Sequence, residues 1–93
     1  MIKSFKCEET EKIFNREFSR KLPSDIQKVA FRKLSMIDNS KSLTDLKIPR
    51  ANRLEKLVGN RKGQYSICIN DQWRICFEWN DNNAFNVEIV DYH

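Results

Sequence analysis

"QYSICINDQWRICFEW", residues 64–79, decides the fold. Tyr65, Ile67 and Ile69 alternate with Gln64, Ser66 and Cys68; after a break, Trp73, Ile75, Phe77 and Trp79 alternate with Arg74, Cys76 and Glu78. A period of two on either side of Asn70-Asp71-Gln72 reads as a hairpin, because Asn and Asp tolerate tight-turn dihedrals. The apolar sets of the two strands must share one face. A three-residue loop satisfies that requirement by setting Ile69 opposite Trp73, Cys68 opposite Arg74 and Ser66 opposite Cys76. Arg74 is therefore expected on the polar face of a central strand, where its ordinary partner would be Glu78 or Glu88.

The alternation extends in both directions. Beyond the turn Asp81-Asn82-Asn83, Phe85, Val87 and Ile89 alternate with Asn86, Glu88 and Val90; before the hairpin, Arg53 to Val58 reads as a first strand closed by Gly59. The sum is an antiparallel meander, apolar on one face. If the last strand runs without a bulge, Tyr92 shares a face with Asn86, Glu88 and Val90 and is the tail residue expected beside Arg74. Asp91 and His93 then lie on the other face or at the strand's end.

Upstream, the period is helical. Ile13, Phe14 and Phe18 predict an amphipathic helix over 8–20, broken by Leu22-Pro23. Ser24-Asp25-Ile26-Gln27 has the form of a capping box opening a second helix to about Asn39. Ile26, Val29, Ala30, Leu34 and Ile37 make its apolar stripe, with Lys28, Arg32 and Lys33 elsewhere. One helical turn is expected around Leu43 to Leu46, and Met1 to Phe5 reads as a short opening strand. The architecture is α+β: two helices packed on one face of a small, curved, mostly antiparallel sheet, with the other face open.

At 93 residues the chain is one domain, and a core of this size should bury about 65% of the unfolded surface. Cys7, Cys68 and Cys76 form no CxxC pair and make an odd count, which fits a reducing, cytoplasmic compartment better than a disulfide framework. From the charged start no signal peptide is expected, and no apolar run approaches the roughly 18 residues of a membrane span. Charge is unevenly placed: residues 1–63 carry 16 Lys/Arg against 8 Asp/Glu, and residues 64–93 carry 1 against 5. Between 47 and 62, Lys47, Arg50, Arg53, Lys56, Arg61 and Lys62 stand against Glu55 alone. Such a run is either a solvated face or a footprint for a polyanion.

Asn52-Arg53-Leu54-Glu55, Leu57, Gly59, Asn60-Arg61, Gly63, Ser66-Ile67, Ile69-Asn70-Asp71-Gln72-Trp73-Arg74, Phe77 and the closing Val87-Glu88-Ile89-Val90-Asp91-Tyr92-His93 resemble the HigB-type toxins of the RelE superfamily. The likeness covers essentially the whole chain and is strongest from residue 52 onward. It implies the toxin of a type II toxin-antitoxin pair, an endoribonuclease that cuts mRNA in the A site of the translating ribosome. The chemistry it implies needs neither metal nor cofactor. The implied partners are mRNA, small-subunit ribosomal RNA and a HigA-like helix-turn-helix antitoxin, with operator DNA reached only through the antitoxin complex and no membrane involved.

Metal-free RNA cleavage uses the 2′-hydroxyl as nucleophile, so the protein supplies a base, an acid and a cation for the phosphorane-like charge. The resemblance carries the family's catalytic arginine onto Arg74, whose guanidinium stays charged and binds phosphate in a forked geometry. His93, the one histidine, titrates nearest neutrality and is the expected acid. Tyr92 would stack on a base or hydrogen-bond the scissile phosphate, and Asp91 would orient its neighbours. Glu55 stands where several relatives have histidine; it is either a general base or the ion-pair partner of Arg53 or Lys56. Arg53, Lys56, Arg61 and Lys62 would bind RNA backbone. Where relatives often read Ser-Ile-Arg-Ile-Asn, this chain has Cys68, which removes a positive charge opposite Arg74. Two other readings compete: a non-catalytic RNA- or ribosome-binding domain, and a domain whose remaining role is antitoxin binding and operon control.

Overall fold

Residues 1–92 are described by the computed structural model of the chain; His93, the expected acid, lies outside them. The alternating region folds as an antiparallel sheet in the order β1-β2-β3-β4, with β1 at Glu55–Lys56, β2 at Gln64–Cys68, β3 at Trp73–Asn80 and β4 at Asn83–Asp91. The hairpin register is the expected one, with Cys68 across from Arg74 and Ser66 across from Cys76. Asn70 sets the turn, its Oδ1 accepting from the backbone N–H groups of Gln72 and Trp73 at 2.8 Å each.

The expected six-residue first strand is only two residues long. Arg50–Asn52 forms a single 3-10 turn, and Arg53 follows with φ 45°, a left-handed conformation that prevents strand geometry from beginning there. The opening segment forms no strand of its own. Ile2 and Phe5 instead make isolated parallel bridges to Ala84 and Val87 of β4.

The last strand is bulged. Glu78 pairs with Phe85 and Cys76 with Glu88, so Asn86 and Val87 together oppose Phe77. Asn86, at φ 53°, is the left-handed residue; its N–H donates to Ser4 Oγ at 2.8 Å and its Nδ2 to Glu78 Oε2 at 3.0 Å. Because one residue is inserted, Ala84 joins Val87 and Ile89 in the core, and Phe85 is displaced from the apolar face where simple alternation put it.

Helix α1 (Glu8–Phe14) ends six residues early: Arg16 takes φ 64° and Phe18 is exposed. Helix α2 (Ser24–Asn39) buries Ile26, Ala30, Leu34 and Ile37 against the sheet as expected. Its capping box does not form, because Ser24 is already helical and Gln27 turns instead to the Ser19 and Leu22 carbonyls at 2.7 and 3.0 Å. A capping box does form on α3 (Leu43–Lys47), between Ser42 and Asp45. No helix among the described residues is long and apolar enough to cross a membrane.

Lys33 departs furthest from the amphipathic reading. Only 5% exposed, it donates from Nζ to Asn52 Oδ1 at 2.5 Å, and burial lowers its amine's pKa. Asn52, fully buried, donates from Nδ2 to the Leu46 carbonyl at 3.0 Å. This pair ties α2 to the connection that leads into β1. Replacing Asn52→Ala should leave a buried ammonium and a carbonyl without partners and lower the unfolding free energy by about 3 kcal/mol; urea denaturation measures the loss.

Candidate active site

The polar face of the sheet is closed at its centre, not open. Ser66, Cys68, Arg74 and Cys76 are all buried. Arg74 retains 7% of its surface, and four residues, Ser66, Arg53, Glu55 and Tyr92, surround its guanidinium. Nε donates to Ser66 Oγ at 2.8 Å, and Nη2 donates to the Arg53 carbonyl at 2.6 Å and the Ser66 carbonyl at 3.3 Å. Nη1 lies 3.9 Å from Glu55 Oε1. The Tyr92 ring covers the group, its centroid 5.5 Å from Cζ, within cation–π range.

Each contact follows from local structure. Ser66 sits diagonally across from Arg74 in the register, and Glu55, paired with Ser66, shares that face. The left-handed turn at Arg53 aims its carbonyl inward, so this residue contributes its backbone to the site. Tyr92 arrives because Arg74 pairs with Val90 on β4, which gives residues 88, 90 and 92 the face expected of them. The tail is tied to the hairpin loop: Tyr92 N–H donates to the Gln72 carbonyl at 2.6 Å, and Gln72 Nε2 donates to Asp91 Oδ2 at 3.1 Å.

Arg61 and Glu88 lie beside this group. Arg61 closes the 3-10 turn Gly59–Arg61, in a loop whose Gly59 and Gly63 adopt φ +70° and +93°, values that favour glycine. Its Nη1 donates to Glu88 Oε1 at 2.8 Å and to Gln64 Oε1 at 3.1 Å, and the Glu88 carboxylate raises the guanidinium's pKa above its already high value. Lys6 Nζ is 4.0 Å from the same Glu88 oxygen. Arg61, Val90, Asp91 and Tyr92 line a cleft of about 330 Å³. Lys56 and Lys62 are exposed nearby in sequence, on β1 and after the turn.

Of the residues singled out from sequence, Arg74, Glu55 and Tyr92 come together, with Arg61 and Asp91 beside Tyr92 at the cleft. Glu55 pairs with Arg74, and neither Arg53 nor Lys56 is its ion-pair partner; Glu88 pairs with Arg61 where Arg74 was expected. Sequence reasoning missed Ser66 as a ligand of the guanidinium, although the register placed it one diagonal away. It also missed the Arg53 carbonyl, for which no side-chain pattern gives a signal. Cys68, opposite Arg74, donates its thiol to the Asn70 carbonyl at 2.9 Å. Burial raises the pKa of Cys76.

Ser66→Ala, which removes a hydrogen bond to a buried charge, should cost about 2 kcal/mol of stability in chemical denaturation. In the native protein a thiol reagent should label half-buried Cys7 rapidly and spare Cys68 and Cys76 until denaturant is added, because both are buried; mass spectrometry of labelled peptides reads the order.

The profile of a family described as "RelE-like toxin of type II toxin-antitoxin system HigB" matches residues 3–93. Toxin HigB-1 of Vibrio cholerae is 46% identical over 67 residues, covering 72% of this chain and 70% of that one. Endoribonuclease HigB of Proteus vulgaris is 31% identical over 94 residues, covering 100% of both. Among solved structures, the heterotetrameric YoeB-YefM toxin-antitoxin complex from Staphylococcus aureus contains a chain that aligns with TM-score 0.60 and 23% identity, over 100% of this chain and 98% of that one; this likeness shows the fold.

Proposed function

The chain belongs to the HigB-like family, RelE-like toxins of type II toxin-antitoxin systems, and from that premise we propose that it is an endoribonuclease that cleaves mRNA in the A site of the translating ribosome. The observation that carries this reading is the convergence of Arg74, Glu55 and Tyr92 on one face beside a cleft. Its support in name comes from the Proteus vulgaris relative, an endoribonuclease matched over its whole length.

The chemistry divides among these residues. With Nε and Nη2 committed to the protein, Arg74 has its Nη1 edge, the one facing Glu55, to offer a phosphate. A guanidinium fixed in this way loses little freedom when the scissile phosphate gains charge, which is the condition for electrostatic stabilisation of a transition state. Glu55, exposed and beside that edge, takes the 2′-hydroxyl proton as general base. Tyr92 offers its ring to an unstacked base. His93 supplies the proton for the leaving 5′ oxygen, and Asp91, bonded to Gln72, anchors the tail that carries both. Arg53, Lys56, Arg61 and Lys62 bind RNA backbone of the message and of the small ribosomal subunit. The partner that restrains the enzyme is an antitoxin of the HigA-like helix-turn-helix type, and operator DNA is met through that complex. The mechanism calls on no metal and no cofactor, and its compartment is the cytoplasm, where ribosomes are.

The enclosure of Arg74 favours a second reading, a non-catalytic domain that binds RNA, the ribosome or an antitoxin, since a guanidinium so fully bonded is also a structural element. A purified translation reaction programmed with a defined mRNA separates the two. Primer extension should map a cut in ribosome-bound message, and intact message would leave the binding domain as the function. Arg74→Ala should slow cleavage by roughly 10² to 10³. Binding of a short single-stranded RNA through four backbone contacts should weaken with salt at a log–log slope of about −2.8.

A further inference from the structure

Glu88 is out of place on a surface that must accept RNA. It stands on the same face as Arg74, paired across β3–β4 with Cys76, and its side chain is 14% exposed. A carboxylate there repels a polyanion at close range, a cost that the loop 57–64 explains. The Leu57 N–H donates to the Gln64 carbonyl at 2.8 Å and closes the loop, which carries Arg61 beyond the sheet on a backbone with left-handed glycines at both ends. Arginine side chains in such positions sample many rotamers and lose entropy when they bind.

Glu88 removes that freedom. Both hydrogens of Arg61 Nη1 are engaged, by Glu88 Oε1 and Gln64 Oε1. Among the described residues nothing takes the hydrogens of Nε and Nη2, and the side chain remains 35% exposed at the cleft with Tyr92. The guanidinium is thus gripped along one edge, with the other edge, the pair of donors that suits a phosphate, left for a ligand. Lys6 at 4.0 Å offsets part of the Glu88 charge.

We propose that Glu88 is a positioning residue that presents Arg61 to an RNA phosphate beside the one held at Arg74, acting through Arg61 without touching the RNA. The proposal rests on the RNA-cleavage reading and adds a second oriented cation to it. Charge alone predicts the opposite outcome: deleting an acid from an RNA-binding face should tighten binding and leave cleavage equal or faster.

The test is a cycle of Glu88→Ala, Glu88→Gln, Arg61→Ala and the Arg61→Ala/Glu88→Ala double variant, assayed in the same translation reaction and, as free proteins, by 15N NMR of the Arg61 Nε–H. Glu88→Ala should lower the maximal cleavage rate by roughly 10- to 100-fold, the scale of a small misplacement of a positioned group, and should not tighten RNA binding as the loss of a repulsive charge alone would. Glu88→Gln, whose carbonyl accepts the same hydrogen bond, should recover most of that rate. In the Arg61→Ala background the Glu88→Ala change should alter the rate less than about twofold, because coupled residues are not additive. In the free protein, the Arg61 Nε–H signal should be sharp in the wild type and broadened or lost in Glu88→Ala. A full rate in Glu88→Ala, an equal loss in both backgrounds, or an unchanged Nε–H signal would each overturn the proposal. Failure of the wild type to cut message removes the enzyme reading alone, since the NMR comparison still decides whether Glu88 orders Arg61.

Discussion

A buried guanidinium must find hydrogen-bond acceptors inside the protein, and much of this structure can be read as the means by which Arg74 finds them. β2 supplies the Ser66 hydroxyl and carbonyl and the turn before β1 supplies the Arg53 carbonyl, while the Glu55 carboxylate of β1 forms an ion pair with the group at 3.9 Å and the Tyr92 ring of the tail covers it. Burying an unpaired charge would cost several kcal/mol, so each acceptor is a constraint on the backbone that carries it. The left-handed Arg53 and the two-residue β1 are local irregularities that make sense on these terms. They bring a carbonyl to a place that a longer regular strand would have denied it.

The two arginines of the site are held in opposite ways, and the difference suits different tasks. Arg74 is surrounded, with donors spent on the protein and one edge remaining toward Glu55. Arg61 is gripped from one side by Glu88 and Gln64 and faces the cleft with the other. A cation enclosed on all but one edge is fixed in position but reaches only what is brought to it; a half-gripped cation gives up some precision for reach. Glycine at both ends of the Arg61 loop and a bonded serine beneath Arg74 express the same contrast in the backbone.

Much of the architecture was legible in the sequence where short-range periodicity governs it. The central hairpin came out residue for residue because parity and a three-residue loop leave one register, and the α2 stripe followed from a 3.6 period that packing respected. Tyr92 was placed beside Arg74 by the same parity. The enclosure of Arg74 was hidden because it depends on the backbone conformation of Arg53, twenty-one positions away, which no local pattern specifies. Lys33 read as a surface lysine because its partner, Asn52, lies in another element. Similarly, the early end of α1 and the failure of the Ser24 cap arise from Gln27 turning to carbonyls of the 19–22 segment, a tertiary choice that overrides a local motif.

The extra residue in β4 carries a consequence for how this chain can vary. Upstream of Asn86 the strand places Ala84 in the core, and downstream it places Tyr92 over Arg74. One uninterrupted alternation could not do both, because residues 84 and 92 have the same parity. The bulge therefore works as a phase shift between a stretch devoted to packing and a stretch devoted to the polar face. Substitutions beyond it can alter what the tail presents while its orientation is kept. An insertion or deletion of one residue between Val87 and Tyr92 would rotate the tail by half a turn and exchange Tyr92 for a neighbour above the guanidinium. The end of the strand is thus tolerant in composition and strict in count.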